Sequence, residues 1–511
     1  MLSWRAGLLT VAWVAWARAQ SGVVSGVALE HQSGAPLARS RIRLDRIDST
    51  GRVQSASAIS GRAGQFTFAG LAPGLYVLTA MRDGYAPVTF GQRRPQGSAP
   101  PFTLEKDANV FAELRLRKWA VITGRVLDEN RVGIRRAVVS AFPVRPPFRA
   151  AATAESDDRG VYRLHGLAPG RYRIRSGPFR HDDGMALLPT FTAEARDLRD
   201  ARIHAARLDA ETPDADVTPM SGELITIAGS VSCAPPNPGP VDVVISTETG
   251  RRQTRVGCQG GFRFDNLGPG RYELLASTAD GRLSAFVERS FEQTAQNAHL
   301  ELRPSPEVRI SFRDESGRAP ISLAGTVLLR RVDLAGIAEM REVPLNGSAR
   351  LPMTPGWWEV AGRLAPPHYL DQATMSWNRG GKPRASAHPD WHEVLIDPFG
   401  SNDLYLPVAG KAGSITAQVV SEGKPVPGIP VFLLPIQAET RRRSGGGRIG
   451  FTNLTGEVVF DGLAPGDHRL LASYDFDEID EETAETAQAI LVGLTPNGKA
   501  RIQLTPYVAV E

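Results

Sequence analysis

The sequence predicts an all-β protein, a tandem array of five Greek-key β-sandwich domains that follows a cleaved signal peptide. A thirteen-residue unit of strand-turn-strand character recurs along the chain, and an alternating strand precedes each copy by about forty residues. Almost no stretch shows the apolar period of an amphipathic helix. At 511 residues the chain also exceeds what a single hydrophobic core organises.

The repeated unit is clearest at residues 64–76, which spell GQFTFAGLAPGLY. Residues 160–172, 260–272 and 456–468 align with it without gaps, and a degenerate copy one residue shorter occupies 347–358. Phe66 and Phe68 alternate with polar residues, which places both on one face of a strand. Pro73-Gly74 suits a type II turn. The unit therefore predicts a β-hairpin.

An alternating apolar strand opens each domain about forty residues before the hairpin. These strands are predicted at 23–27, 121–126, 225–231, 308–312 and 415–419. With them as starting points, the predicted segments are a signal peptide at 1–19 and sandwiches at 20–118, 119–222, 223–304, 305–409 and 410–511, the fourth being divergent with an irregular loop. Neighbouring domains in such a string are expected to contact each other little.

The combination of a first strand ending in Gly-x-Val, a Gly-x-Pro-Leu/Val turn and Gly-x-Phe-x-Phe-x-Gly-Leu-x-Pro-Gly-x-Tyr resembles the carboxypeptidase regulatory-like domain. That family has a transthyretin-like sandwich fold and is often repeated in bacterial exported proteins. The resemblance covers nearly all of the chain after the signal peptide. It implies accessory or stand-alone domains, some of whose relatives bind carbohydrate, rather than a catalytic domain.

The N-terminal residues predict export. Arg5 supplies a positive start, an apolar stretch follows, and residues 17–19 form a small-x-small cleavage site before Gln20. We expect a periplasmic, cell-surface or extracellular protein with no membrane span. Removal of residues 1–19 lowers the formal charge from +4 to +2, because Arg5 and Arg18 are lost, so charge predicts no nucleic-acid partner. The excess of Arg over the six Lys is interpreted as codon bias.

The two cysteines, Cys233 and Cys258, lie 25 residues apart, and export would allow them to persist as a disulfide. Two buried free thiols are the alternative.

No catalytic motif is apparent, and no cofactor is expected. His392-Glu393 begins a His-Glu-x-x-His pattern, but the fifth residue is Ile396. His388, Asp390 and His392 form a candidate metal site in a Pro/Gly-rich loop, with a solvated loop as the alternative. An acidic run from Asp475 to Glu482 suits Ca²⁺ in charge but lacks the glycine of a helix-loop calcium site.

The aromatic residues of the fourth segment suggest a ligand surface. Trp357, Tyr369, Trp377 and Trp391 are candidate carbohydrate-stacking residues, whereas Trp358 occupies the inward Tyr position of the repeat and is expected in the core. The alternative is that the indoles pin the irregular loop to the sandwich.

These features predict a non-catalytic exported binding or structural protein that presents loops to a glycan or a cell-envelope protein. The alternatives are an accessory subunit of an outer-membrane receptor or peptidase complex, and an enzyme of unrecognised class.

Overall fold

A computed structural model describes residues 22–47, 53–95, 97–144, 149–180, 184–233, 239–318, 320–375, 390–398 and 402–509. The predicted signal peptide, Trp377 and His388 lie outside these residues. The described chain is almost entirely β, so the predicted fold class is confirmed.

The chain divides into two compact units. The first comprises Met1–Asp83, Pro87–Gly91 and Pro101–Leu116. The second comprises Gly84–Ala86, Gln92–Pro100 and Arg117–Glu511.

The first unit contains two sheets, of order β4-β1-β8 and β3-β2-β5-β6, with β7 beside β5. Its strands are β1 (Gly22–Glu30), β2 (Arg41–Ile47), β3 (Val53–Ile59), β4 (Gln65–Leu71), β5 (Gly74–Met81), β6 (Val88–Thr89), β7 (Phe102–Leu104) and β8 (Asn109–Leu116). Alternate residues of both sheets are buried, including Val24, Leu44, Phe66 and Leu78. This alternation is what a sandwich requires of its inner faces.

The second unit begins with a sandwich of sheets β12-β9-β17 and β11-β10-β13-β16, with a small β14-β15 pair. The strands are β9 (Ala120–Arg125), β10 (Val138–Pro143), β11 (Ala152–Glu155), β12 (Val161–Leu167), β13 (Gly170–Ser176), β14 (Phe179–Arg180), β15 (Ala186–Leu187), β16 (Ile203–Ala206) and β17 (Glu211–Thr212), and a 3₁₀ helix spans Thr192–Glu194. Tyr162, Leu164 and Ile174 lie in its core.

The third segment forms one continuous sheet of order β20-β19-β22-β23-β24-β18-β21. Its strands are β18 (Ile225–Cys233), β19 (Val241–Thr247), β20 (Gly250–Val256), β21 (Gly261–Leu267), β22 (Gly270–Thr278), β23 (Leu283–Phe291) and β24 (Ala295–Pro304). The sheet encloses a core that includes Phe262, Phe264 and Leu274. Cys233 and Cys258 form a disulfide with a Cα–Cα distance of 5.8 Å, as predicted.

The fourth segment has sheets β28-β25-β33-β30 and β27-β26-β29-β32, with β31 beside β33. Its strands are β25 (Glu307–Arg313), β26 (Ala324–Asp333), β27 (Gly336–Asn346), β28 (Ser348–Pro352), β29 (Gly356–Leu364), β30 (Tyr369–Leu370), β31 (Thr374–Met375), β32 (His392–Ile396) and β33 (Asn402–Ala409). In the degenerate repeat, β28 pairs with β25 and β29 pairs with β26 in the opposite sheet, so the two strands do not pair with each other. The two strands of the repeated unit are likewise not neighbours in the other four segments, so the predicted β-hairpin is wrong and the unit is a strand-turn-strand connection.

The fifth segment has sheets β35-β34-β38, with β41 beside β34, and β37-β36-β39-β40. Its elements are β34 (Gly413–Ser421), β35 (Lys424–Pro425), β36 (Pro430–Pro435), α1 (Ala438–Ser444), β37 (Arg448–Phe451), β38 (Glu457–Leu463), β39 (Gly466–Ala472), α2 (Glu481–Thr486), β40 (Ile490–Leu494) and β41 (Lys499–Leu504). The two short helices were not predicted.

One pairing pattern recurs in all five segments. The first strand pairs antiparallel with the first strand of the repeated unit, through β1-β4, β9-β12, β18-β21, β25-β28 and β34-β38. On its other side it pairs in parallel with the last strand of the segment, through β1-β8, β9-β17, β18-β24, β25-β33 and β34-β41. The predicted first strands are thus confirmed, and each has a partner strand on both sides.

A β-bulge explains the Gly-Leu step of the repeat. In four segments the register slips by one residue just before the conserved leucine. The residue before that leucine has a positive φ: 74° at Gly70, 76° at Gly166, 55° at Asn266 and 65° at Gly462. Glycine suits this position because it has no Cβ, and asparagine is among the few other residues that tolerate it. By contrast, Gly74 has a φ of 158°, so the predicted type II turn at Pro73-Gly74 is wrong.

The glycine that opens the repeated unit is constrained by contact as well as by φ. Gly160 has a φ of 76°, and an added Cβ would lie 2.3 Å from the carbonyl oxygen of Val126. Gly166 has the same φ, but an added Cβ there would have no atom within 4 Å. A substitution at Gly166 therefore tests backbone strain alone, whereas one at Gly160 tests strain together with a steric clash.

We predict that Gly166→Ala destabilises the second sandwich by about 1–2 kcal/mol, through backbone strain alone. Gly160→Ala should cost about 1–3 kcal/mol more, because the chain must also move away from Val126. Native-state hydrogen exchange of the β9 and β12 amides in the full chain measures both losses. Equal losses in the two variants would contradict the steric argument.

Candidate functional site

Two adjacent tryptophans of β29 face opposite ways. Trp358 is fully buried in the core of the fourth sandwich, and its indole N–H donates to the carbonyl oxygen of Thr354 at 2.8 Å. Trp357 is partly exposed. Neighbouring residues of a strand point to opposite faces, so Trp357 lies on the outer side of this sheet.

The other described candidates for ligand stacking are engaged with protein. The guanidinium carbon of Arg330 lies 4.0 Å from the centroid of the Trp391 ring, and Arg330 forms an ion pair with the buried Glu359. Tyr369 is only 9% exposed and packs with Ala409, Ala412 and Ala464. Among the described candidates, Trp357 is therefore the one that is neither buried nor in a ring-stacking or cation–π contact with other described residues. Ligand binding by the set stays a prediction.

The candidate metal residues lie in a cationic environment. The Asp390 carboxylate forms an ion pair with Arg441, with 3.1 Å between Oδ1 and Nε. The Nε2 atom of His392 is buried without a hydrogen-bond partner, and burial together with Arg442 and Arg443 lowers the pKa of His392 to about 4. Among the residues that the structure describes, no group of three or more His, Cys, Asp or Glu side chains is arranged to hold a metal. His388 lies outside those residues, so metal binding stays a prediction. The positive charges of Arg441, Arg442 and Arg443 disfavour a bound cation here.

Part of the acidic run has structural roles. Asp480 caps α2 by accepting a hydrogen bond from the Thr483 N–H at 2.8 Å. Asp475 is buried and accepts a hydrogen bond from the Ala509 N–H at 2.8 Å.

A buried polar cluster joins the third and fourth sandwiches, and sequence reasoning missed it. Arg251 of β20 donates to both carboxylate oxygens of Asp333, at 2.5 and 2.6 Å. Ser246 donates to the same carboxylate at 2.8 Å, and Arg251 also reaches the carbonyl oxygen of Gly336 at 2.9 Å. The Asp333 side chain is 2% exposed. Bidentate geometry of this kind fixes the orientation of both partners.

Arg331 reinforces this joint. It is buried, its Nε donates to the carbonyl oxygen of Pro355 at 3.2 Å, and its guanidinium carbon lies 6.0 Å from the ring centroid of Phe286 in the third sandwich. Burial lowers the pKa of Arg331, and the carboxylates of Asp333 and Glu273 oppose that shift. A cation and two acids from two sandwiches thus share one buried site.

A second joint connects the fourth and fifth sandwiches through α1. Arg443 of this helix pairs with Asp371 at 2.9 Å, while Arg441 pairs with Asp390. Tyr369 and Ala464 pack together at the same place. Within the second unit, the expectation that neighbouring domains contact each other little is therefore wrong. Residues such as Arg251 and Asp333 lie 82 positions apart, and no local sequence pattern marks them as partners.

The fold and these joints define a tandem β-sandwich protein, and one family model matches its first sandwich. The family model of the carboxypeptidase regulatory-like domain matches residues 23–112. The resemblance stated from the repeat is thus confirmed.

Two pilins and the TIE protein are among the similar solved structures. The minor pilin GBS52 of Streptococcus agalactiae is 13% identical, with 39% of this chain and 96% of that chain covered and a TM-score of 0.25. The Bacillus anthracis TIE protein is 11% identical over 72% of this chain and 68% of its own, with a TM-score of 0.17. The major pilin subunit BcpA of Bacillus cereus is 10% identical over 56% and 100%, with a TM-score of 0.18. Likeness at this level carries no argument about function.

No curated protein matches the chain. Within the described ranges, no helix has the length and apolar character needed to cross a membrane.

We predict that His392 makes stability depend on pH. Its pKa of about 4 in the folded protein is below the ordinary 6.5, so the unfolded chain binds more protons between these values. Stability should therefore fall as pH drops from about 6.5 to 4, by on the order of 3 kcal/mol from this group. Urea denaturation of the wild type and of His392→Gln at pH 7 and pH 4.5 measures it. The variant should lose less stability on acidification, and an NMR titration that places His392 near 6.5 would contradict the prediction.

Proposed function

We propose that this protein is a non-catalytic, exported structural protein whose linked sandwiches hold binding surfaces in a fixed relation for a glycan or a cell-envelope protein. The observation that carries the proposal is the buried Arg251–Asp333 pair across two sandwiches.

Buried ion pairs contribute little net stability, because desolvation of both charges offsets their attraction. Their best-attested benefit is geometric, since a misaligned pair leaves a buried charge unpartnered. Asp333 accepts hydrogen bonds from Arg251 and Ser246 of the third sandwich, and its own backbone neighbour Ala335 donates to it at 2.9 Å. A chain whose domains move independently gains nothing from such a site, whereas a scaffold gains a defined joint.

Export is supported by the predicted signal peptide and by the disulfide. A bond between Cys233 and Cys258 persists in oxidising compartments such as the periplasm or the cell exterior. Closing a loop of 25 residues contributes about 3 kcal/mol. We place the protein in the periplasm, at the cell surface or outside the cell. Service as an accessory subunit of a receptor or peptidase complex is the alternative, which copurification of a stoichiometric partner would favour.

We predict that Asp333→Ala uncouples the third and fourth sandwiches, because it leaves Arg251 buried without its partner at a cost of about 3–5 kcal/mol. In calorimetry of the full chain, these sandwiches should unfold together in the wild type and separately in the variant. A double-mutant cycle with Arg251→Ala should give a coupling energy well above about 1 kcal/mol.

The matched control is Glu301→Gln in the third sandwich. Glu301 pairs with Arg303 at 2.8 Å, but both side chains are about half exposed, at 53% and 50%. This change should leave stability almost unchanged, because solvent screens an exposed ion pair. If Asp333→Ala behaves like this control, the joint is not a coupling element and the proposal fails.

Carbohydrate binding by the fourth sandwich is a second candidate, favoured by the outward-facing, partly exposed Trp357. Trp357→Ala should weaken binding on a glycan array by about 1–3 kcal/mol, since a stacking indole would be lost. Trp119→Ala, at a partly exposed tryptophan outside this sandwich, is the control and should leave binding unchanged. An equal effect of both variants, or no glycan bound by the wild type, would remove this candidate.

A further inference from the structure

A cavity of about 440 Å³ lies between the second and third sandwiches, within the second unit. Its size is in the range of small-molecule sites. Strands β10 and β13 contribute one wall, and the β19–β20 hairpin with the start of β22 contributes the other. Gly268 approaches Pro189 so closely here that an added Cβ would lie 3.1 Å from the proline ring. The two sandwiches are thus in contact beside the cavity.

The lining is positively charged. Arg175, Arg251 and Arg252 border the cavity, and the lining residues include no aspartate or glutamate. Arg251 forms an ion pair with Asp333, and Arg252 donates to the carbonyl oxygen of Asp265 at 2.6 Å. Arg175, the third cation of this lining, donates to the Thr249 hydroxyl.

Arg175 carries a partly desolvated charge. Its side chain is partly buried and its guanidinium donates to the Thr249 hydroxyl, but its Nε finds no acceptor. No carboxylate of the described residues forms an ion pair with it. The Phe191 ring centroid lies 5.5 Å from its guanidinium carbon, and the charges of Tyr272 and Glu248 favour its protonated form. Burial lowers the pKa of Arg175 to about 10, so holding the charge here costs free energy.

The remaining walls suit an apolar body with one polar end. Val138, Pro178 and Pro189 supply accessible apolar surface, while the hydroxyls of Thr247 and Thr249 lie 3.3 Å apart near Arg175. A guanidinium beside hydroxyl groups is suited to recognising a planar carboxylate.

We propose that this cavity binds a small organic carboxylate, with the anionic group beside Arg175 and the apolar body against Val138 and Pro189. The ligand supplies the direct ion pair that no described carboxylate makes with Arg175. An arginine without an ion-pair partner in a cleft is the kind of feature that function retains against its energetic cost. The inference does not depend on the structural role proposed above.

The test uses the full chain with its valine and leucine methyl groups labelled for NMR. Phenylacetate, titrated to about 10 mM, should shift the Val138 methyl signals saturably and leave those of Val431 and Leu433 in the fifth sandwich unmoved. Phenylacetamide has the same shape without the charge and should bind about 10- to 100-fold more weakly. Inorganic phosphate should also bind more weakly than phenylacetate, because it lacks the apolar body.

Arg175→Gln should weaken phenylacetate binding by about 10- to 100-fold, whereas Arg171→Gln, at an exposed arginine of the same strand, should not. Unchanged hydrogen exchange in β13 verifies that Arg175→Gln is folded. The comparison of phenylacetate with phenylacetamide needs only the wild type, so it stands even if that variant unfolds. No methyl shift with phenylacetate, equal binding of the acid and the amide, or phosphate binding as tightly as phenylacetate would each overturn the proposal.

Discussion

Each sandwich depends on one constraint, which is that its first strand must satisfy backbone hydrogen bonds on both edges. One edge is paired by the first strand of the repeated unit and the other by the last strand of the segment. A strand so placed tolerates no slip, because a shift by one residue would turn Val24 and its alternating neighbours out of the core. The bulge at Gly70 confines a one-residue register shift to the end of β4, so Phe66 and Phe68 keep their pairing with β1.

The sequence predicts those features that depend on short-range residue patterns. Alternation identified the first strands, and the inward position of Trp358 followed from its place in the repeat. The φ values within the repeated unit could not be predicted, because the motif contains several glycines. Only the strand register shows which of them lies at the bulge. The helices α1 and α2 were missed because, at seven and six residues, they are too short to show a helical period.

The joints lie beyond such reasoning because their partners come from different sandwiches. They also change the meaning of the composition, where a large excess of arginine over the six lysines was attributed to codon bias. Arg251, Arg331 and Arg443 occupy buried or half-buried joints and pair with carboxylates or carbonyl oxygens. A planar guanidinium makes two directed bonds where an ammonium makes none of fixed geometry. At these positions the arginines therefore have a physical role that lysine would not fill.

The parallel pairing of first and last strands also sets when each sandwich is able to close. Val24 lies opposite Val110, so the partner of an early residue is synthesised 86 residues later. Until the last strand has been synthesised, the N–H and C=O groups on one edge of the first strand are unpaired. They can then pair with any extended segment nearby. Contacts so distant in sequence slow folding, because the intervening chain must be ordered before they form. The growing chain thus carries a transiently unpaired edge in each segment in turn, and a holding factor that shields extended segments during synthesis would act on it five times over.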